Sequence, residues 1–131
     1  MAGNNFGANQ YKKAQITTAS RGQVLLLLYE AAIKYVKKAT AAIQKKDIAA
    51  KGAAIIKAHD IINELMNSLD HNIGGNIARD LERLYNFMTE QLIQANLENS
   101  ADKLTAVQKL LETLHEGWKG AVEQVNKGTA K

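Results

Sequence analysis

The three histidines are the side chains best suited to metal binding or proton transfer, and their positions argue against both. His59, His71 and His115 lie in three different segments, and no two of them are three or four residues apart. A helix presents two ligands to one metal only at those spacings. His59 falls on the inward line of its segment, where we expect a packed, hydrogen-bonded histidine. We therefore expect no metal and no cofactor, and a metalloenzyme bundle is the least favoured class.

Nucleophilic and phosphate-binding chemistry also lack the residues they need. The chain contains no cysteine, which excludes disulfides and thiolate metal sites. Ser20, Ser68 and Ser100 stand at the expected ends of helices, where serine normally caps backbone N–H groups. The Gly74-Gly75 pair has neither the preceding strand nor the following lysine of a phosphate loop. We therefore expect no catalytic residues and no enzymatic activity.

Lysines are the residues that could bind nucleic acid. The chain carries a net charge of only +4, and the lysines of its first helical segment alternate with alanines rather than with aromatic side chains that stack on bases. The solvated outer face of a bundle helix has the same pattern. A nucleic-acid-binding bundle is therefore an alternative that we do not favour. The residues concerned are Lys12, Lys13, Lys34, Lys37, Lys38, Lys45 and Lys46.

Composition indicates that helices position these side chains. The 131 residues include no proline, and 46% are hydrophobic against 23% charged, as in an ordinary globular domain. The longest apolar run, residues 24–29, is far too short to cross a bilayer. The first ten residues lack the basic-then-apolar order of a signal peptide. We therefore expect a cytoplasmic all-α protein that does not insert into a membrane.

Apolar residues recur at helical spacing in four segments separated by short breaks. The first helix is predicted over residues 21–45, with Ser20 as its cap, and the second over residues 48–69 after Asp47. The third is predicted to begin after Asn76, and the fourth to follow a break at residues 96–100. Segments of similar length with short connections predict an antiparallel up-down four-helix bundle over residues 20–126. Residues 1–19 are expected to form a short mobile N-terminal segment, and residues 127–131 a tail.

The first predicted helix has more apolar surface than one core-facing line requires. Its inward line is predicted to be Leu25, Leu28, Ala32, Tyr35, Ala39 and Ala42. Leu26 and Tyr29 extend the apolar surface well around the helix. Surplus apolar surface on a bundle that needs no more core is typical of a site that receives a partner helix.

Three stretches of the chain closely resemble the FliS family of flagellar export chaperones. The first has a tyrosine, a Thr-Ala-Ser turn, a glutamine, and a leucine-rich run that ends in Leu-Tyr-Glu. In this sequence these are Tyr11, Thr18-Ala19-Ser20, Gln23 and Leu28-Tyr29-Glu30. The second contains Leu69-Asp70, Gly74-Gly75, Ile77-Ala78, Leu81, Leu84-Tyr85, Met88, Leu92 and Ala95-Asn96, and the third Leu104, Val107, Leu111, Leu114 and Trp118. The resemblance covers roughly residues 11–120. Arg21 departs from it, since a proline commonly follows the turn serine, and the turn is expected to be looser.

The resemblance implies a non-catalytic chaperone that binds the disordered C-terminal segment of flagellin, prevents its premature polymerisation and delivers it to the flagellar export gate. It also implies an N-terminal segment that covers part of the client groove and moves on binding. The residues expected to contact the client or form this flap are Tyr11, Ile16, Thr17, Ala19, Leu25, Leu28, Tyr29 and Ala32. A chaperone for another secretion client is the main alternative, and a homodimer of the free protein stays open.

Overall fold

Four α-helices make up the part of the chain that the structure describes. The structure, a computed structural model, describes the backbone of residues 2–129 and the side chains of residues 21–125. The helices are α1 (Ala2–Gln44), α2 (Ile48–Asn67), α3 (His71–Glu98) and α4 (Ala101–Thr129), and no strand occurs within residues 2–129. The prediction of an all-α fold is confirmed.

The helices pack in a ring in which each contacts two neighbours. α1 packs against α2 and α4, and α3 packs against the same two helices from the opposite side. The connections at residues 45–47, 68–70 and 99–100 are so short that each helix must run antiparallel to the one before it. This arrangement confirms the predicted antiparallel four-helix bundle. Across residues 2–129 no helix is both long and apolar enough to span a bilayer.

Side-chain caps set the starts of α2 and α3. Asp47 precedes α2 as predicted, and its carboxylate accepts a hydrogen bond from the Ala50 N–H at 3.0 Å. Asp70 caps α3 in the same way, so a short helical stretch precedes the start that was predicted after Asn76. The predicted break is confined to Gly75, whose φ of 52° lies in the left-handed region that glycine tolerates. One non-helical glycine kinks α3 without ending it.

The first helix begins well before its predicted start. α1 is assigned from Ala2, so Ser20 lies within the helix and not at its predicted start near residue 21. The side chains of residues 2–20 and 126–129 lie outside the described part, as do residues 1, 130 and 131. The proposed mobile segment at residues 1–19 and tail at residues 127–131 fall there, and both stay predictions.

The described part of α1 is rotated about its own axis relative to the predicted orientation. Tyr29, Ala32, Val36 and Ala39 are fully buried, and Leu26 is nearly so. Three residues that were predicted to face inward each come one position before a buried residue. They are only partly buried and pack against the edge of the core: Leu25, Leu28 and Tyr35. The prediction is confirmed for Ala32, Ala39 and Ala42 and holds only in part for the larger residues, which lie at the edge of the core. Alanine on the inward line lets α1 approach its neighbours closely.

A hydrogen-bonded trio of aromatic side chains ties α1, α3 and α4 together. The hydroxyls of Tyr29 and Tyr85 share a hydrogen bond across the bundle, and their ring centroids are 6.5 Å apart. The indole Nε1–H of Trp118 donates to the Tyr29 hydroxyl at 3.2 Å. Burial raises the pKa of both phenols above the ordinary value of 10.0, and the hydrogen bond to Tyr29 raises the pKa of Tyr85 further. Both hydroxyls therefore hold their protons more tightly in the folded protein.

These raised pKa values predict a loss of stability at alkaline pH. Because the unfolded chain releases protons that the folded chain retains, the stabilisation is present below about pH 10 and is lost as the pH rises above it. The free energy of unfolding should fall by as much as about 1.4 kcal/mol per pH unit for each buried tyrosine. Urea denaturation at pH 9, 10 and 11 should show a shallower fall in Tyr85→Phe than in the wild-type protein. Equal slopes in the two proteins would contradict this account.

Candidate docking groove

A groove with a volume of about 980 Å³ opens at the end of the bundle where α2 meets α3. One wall is α1, the other is the first turns of α3, and the α2–α3 connection closes the end. Its walls are mainly apolar, and they include Val24, Leu25, Leu28, Leu69, Ile77, Ala78 and Leu81. The groove arises because α2 ends at Asn67, so that no helix covers the start of the described part of α1 on this side.

Two members of the aromatic trio, Tyr85 and Trp118, form the floor of the groove. Tyr85 and Trp118 line the groove, and Tyr29 lies fully buried beside them. Every buried side-chain nitrogen and oxygen in the described part has a hydrogen-bond partner, so the floor offers no unsatisfied polar atom. A ligand would therefore meet a mainly apolar surface at the floor.

The rim combines exposed apolar side chains with polar groups. Ile73 is 86% exposed, and Ile77 one turn later is also exposed. Asp70 is occupied by capping α3, and His71 Nε2 lies 3.1 Å from Glu82 Oε2. Arg21 lines the mouth and makes no ion pair with any described side chain. The groove can therefore accept an apolar helix face, with one cation available at its entrance.

The predicted site residues fall into three groups. Leu25 and Leu28 line the groove. Tyr29 and Ala32 are fully buried in the core and present no surface in this structure, so a direct contact with either requires the helices to move apart. The remaining four have side chains outside the described part of the chain: Tyr11, Ile16, Thr17 and Ala19.

Sequence reasoning missed the contribution of α3 to this groove. Ile73 and Ile77 flank the Gly74-Gly75 pair, which was interpreted only as a break between helices. Gly75 between them is non-helical, so their four-residue spacing does not place them on one helix face, yet both are exposed and line the groove. Two large apolar residues beside a glycine pair were the available signal. Tyr85 and Trp118 lie in the second and third stretches that resemble the FliS family, but their place at the groove floor was not predicted.

The described side chains do not form a metal site. No group of three or more histidine, cysteine, aspartate or glutamate residues is suitably placed among residues 21–125. Glu112 and His115 have the Glu-x-x-His spacing of bundle metal sites, but each turns to a partner on α1. Glu112 Oε2 is 4.0 Å from Lys37 Nζ, and His115 Nε2 is 3.0 Å from Glu30 Oε2. These pairs join α4 to α1.

Comparisons with known proteins show which family the chain belongs to. The family model described as flagellar protein FliS matches residues 3–125. The flagellar secretion chaperone FliS of Salmonella typhimurium is 37% identical over 108 residues, which cover 82% of this chain and 80% of that protein. The flagellar secretion chaperone FliS of Bacillus subtilis is 31% identical over 117 residues, 89% of this chain and 86% of that protein. The chain belongs to the FliS family.

Proposed function

We propose that this protein is a cytoplasmic flagellar secretion chaperone that binds the C-terminal segment of flagellin in the groove between α1 and α3. The observation that carries the proposal is a large apolar groove on a bundle whose core is complete without it. The relatives named above are flagellar secretion chaperones. The protein carries out no catalysis, and it delivers the bound flagellin to the flagellar export gate.

Binding would couple to folding of the client. A disordered segment loses conformational entropy when it becomes ordered, and it must bury apolar surface to compensate. Leu25 and Leu28 supply that surface on one wall, and Ile77 and Leu81 supply it on the other. A client helix whose apolar residues recur every three or four positions fits between them. Leu25 and Leu28 are therefore the proposed contact residues of α1, whereas Tyr29 and Ala32 support the wall from behind.

The N-terminal residues are proposed to regulate access to the groove. Tyr11, Ile16, Thr17 and Ala19 precede the α1 wall in sequence, and they would cover the groove when no client is bound. A client would then displace them. Without a client, the same apolar surface would also support a monomer–dimer equilibrium.

Nucleic-acid binding is less well supported, because several of the lysines already have partners within the chain. The ammonium groups of Lys34 and Lys38 lie 5.6 and 5.4 Å from the centre of the Tyr35 ring. Lys37 faces Glu112. A salt titration separates the two functions, because phosphate contacts give a log–log slope of about −0.9 each. Binding of an apolar client segment should change little with salt.

Titration calorimetry with the purified protein and a peptide of roughly 40 residues from the C-terminus of its cognate flagellin tests the proposal. We expect one-to-one binding, a negative heat-capacity change and a gain of helix by circular dichroism, because apolar burial and folding occur together. If the folded protein fails to bind the peptide at high micromolar concentration, flagellin is not its client.

Substitutions at neighbouring positions of α1 test whether the groove is the binding site. Leu28→Asp places a charge on the groove wall and should weaken peptide binding by about 100-fold, the effect of losing a central contact. Leu27→Asp is the matched control: Leu27 is 60% exposed and does not line the groove, so affinity should be unchanged. Circular dichroism checks that both variants fold, and Leu28→Ala gives a milder change at the same position. Equal affinities of all the variants and the wild-type protein would show that the client binds elsewhere.

A further inference from the structure

Arg21 lies on the same line of α1 as the two leucines of the groove wall. It precedes Leu25 by four residues and Leu28 by seven, and all three side chains line the groove. Residues at these spacings lie on one face of a helix. At about 1.5 Å per residue, Arg21 lies about 6 Å beyond Leu25 along the helix axis. The apolar wall of α1 therefore ends at a guanidinium group.

Close packing of α1 on α4 fixes the orientation of this turn. Gly22 lies so near α4 that a Cβ atom at this position would overlap the Val122 side chain. Successive residues of a helix point about 100° apart, so a helix that turns Gly22 toward α4 turns Arg21 away from α4. Arg21 is exposed and borders the groove. The packing therefore holds the backbone of Arg21 at the mouth of the groove.

The other charged side chains that line the groove already have partners. The Asp70 carboxylate accepts hydrogen bonds from two backbone N–H groups at the start of α3, at 3.0 and 3.2 Å. His71 Nε2 lies 3.1 Å from Glu82 Oε2. By contrast, no carboxylate among the described side chains forms an ion pair with Arg21. Arg21 is therefore the charged group that the groove offers to a ligand.

We propose that Arg21 binds a carboxylate of the client segment and so determines which segments the groove accepts and where they lie along it. The inference rests on the proposed chaperone function. An apolar wall accepts many apolar helices in several registers, because hydrophobic contacts are non-directional. A guanidinium binds a carboxylate through two parallel hydrogen bonds in a fixed geometry. The matching client carries an acidic group about one helical turn beyond the apolar residue that contacts Leu25.

Selection would also act against clients that lack this carboxylate. A helix that fills the groove removes part of the water around Arg21, and without a carboxylate the guanidinium would be left partly desolvated and unpaired. Specificity is a difference between two affinities, so this penalty adds to the gain from the matched pair. Arg21 is also the position at which this sequence departs from the FliS pattern, where proline is common. The selection is therefore a property of this chain rather than of its family.

Calorimetric titration of the same flagellin peptide into full-length variants at Arg21 tests this inference. Arg21→Gln removes the charge, and Arg21→Lys keeps the charge without the two parallel hydrogen bonds. Arg83→Gln is the matched control, because Arg83 is exposed on α3 and does not line the groove. We expect Arg21→Gln to weaken binding about fivefold and Arg21→Lys to weaken it less, with Arg83→Gln at wild-type affinity.

Salt provides a second readout of the same variants. The loss of affinity caused by Arg21→Gln should become smaller as the salt concentration rises, because salt screens a partly exposed ion pair. A purely structural effect of the substitution would be independent of salt. Urea denaturation confirms that each variant is folded under the conditions used.

A peptide series then identifies the carboxylate. Each acidic side chain of the peptide, and its terminal carboxylate, is replaced in turn by the amide. One replacement should weaken binding to the wild-type protein about fivefold and leave binding to Arg21→Gln unchanged, because the two groups form one pair. If every replacement changes the affinities of the two proteins by the same factor, Arg21 binds no carboxylate and the inference is overturned.

The same titrations separate this inference from the proposed function. If Leu28→Asp weakens binding but Arg21→Gln does not, the role of Arg21 is overturned and the proposed function stands. If no flagellin peptide binds to the wild-type protein, the proposed function itself fails.

Discussion

A hydrogen bond between two buried tyrosine hydroxyls determines the rotation of α1 about its own axis in the bundle. Tyr29 and Tyr85 come from helices on opposite sides of the ring and meet in its interior, where an unpaired hydroxyl would cost about 1–3 kcal/mol. Their mutual hydrogen bond, together with the one from Trp118, removes that cost. Because Tyr29 must point inward to make it, Leu25 and Leu28 turn toward the edge of the core. The groove wall follows from this rotation of α1.

The sequence was sufficient for the architecture because periodicity and capping depend on local spacing. The helix count, the antiparallel order and Asp47 as a cap could all be predicted from residue type and position. The rotation of α1 could not, since Leu25, Leu26, Leu28 and Tyr29 are all apolar enough to face inward. To choose among them, one must know that the Tyr85 hydroxyl on α3 and the Trp118 indole on α4 lie where they can hydrogen-bond Tyr29. That information is tertiary, and periodicity does not contain it.

Of the two groove walls, the one formed by α1 could be predicted from the sequence and the one formed by α3 could not. Its α1 wall lies in the stretch that resembles the FliS family, and two of the predicted residues, Leu25 and Leu28, line it. Its α3 wall depends on α3 beginning at His71 and on α2 ending at Asn67. A glycine pair usually indicates a helix break, so the helical turn at residues 71–74, which carries Ile73, was not predicted. Residues near a predicted break are difficult to assign to a surface. If the helix begins one turn earlier than predicted, they belong to the groove wall and not to the connection.

The buried polar groups at the two ends of the bundle differ in charge. At the groove end, the side chains of the aromatic trio are neutral and hydrogen-bonded to one another, so the interior there contains no unsatisfied polar atom. At the far end, Lys51 keeps a charge beneath the surface, held only by neutral oxygens. A buried cation is better stabilised by an anion than by amide dipoles alone. The first end is therefore neutral in its interior, whereas the second holds a charge through hydrogen bonds to neutral oxygens alone.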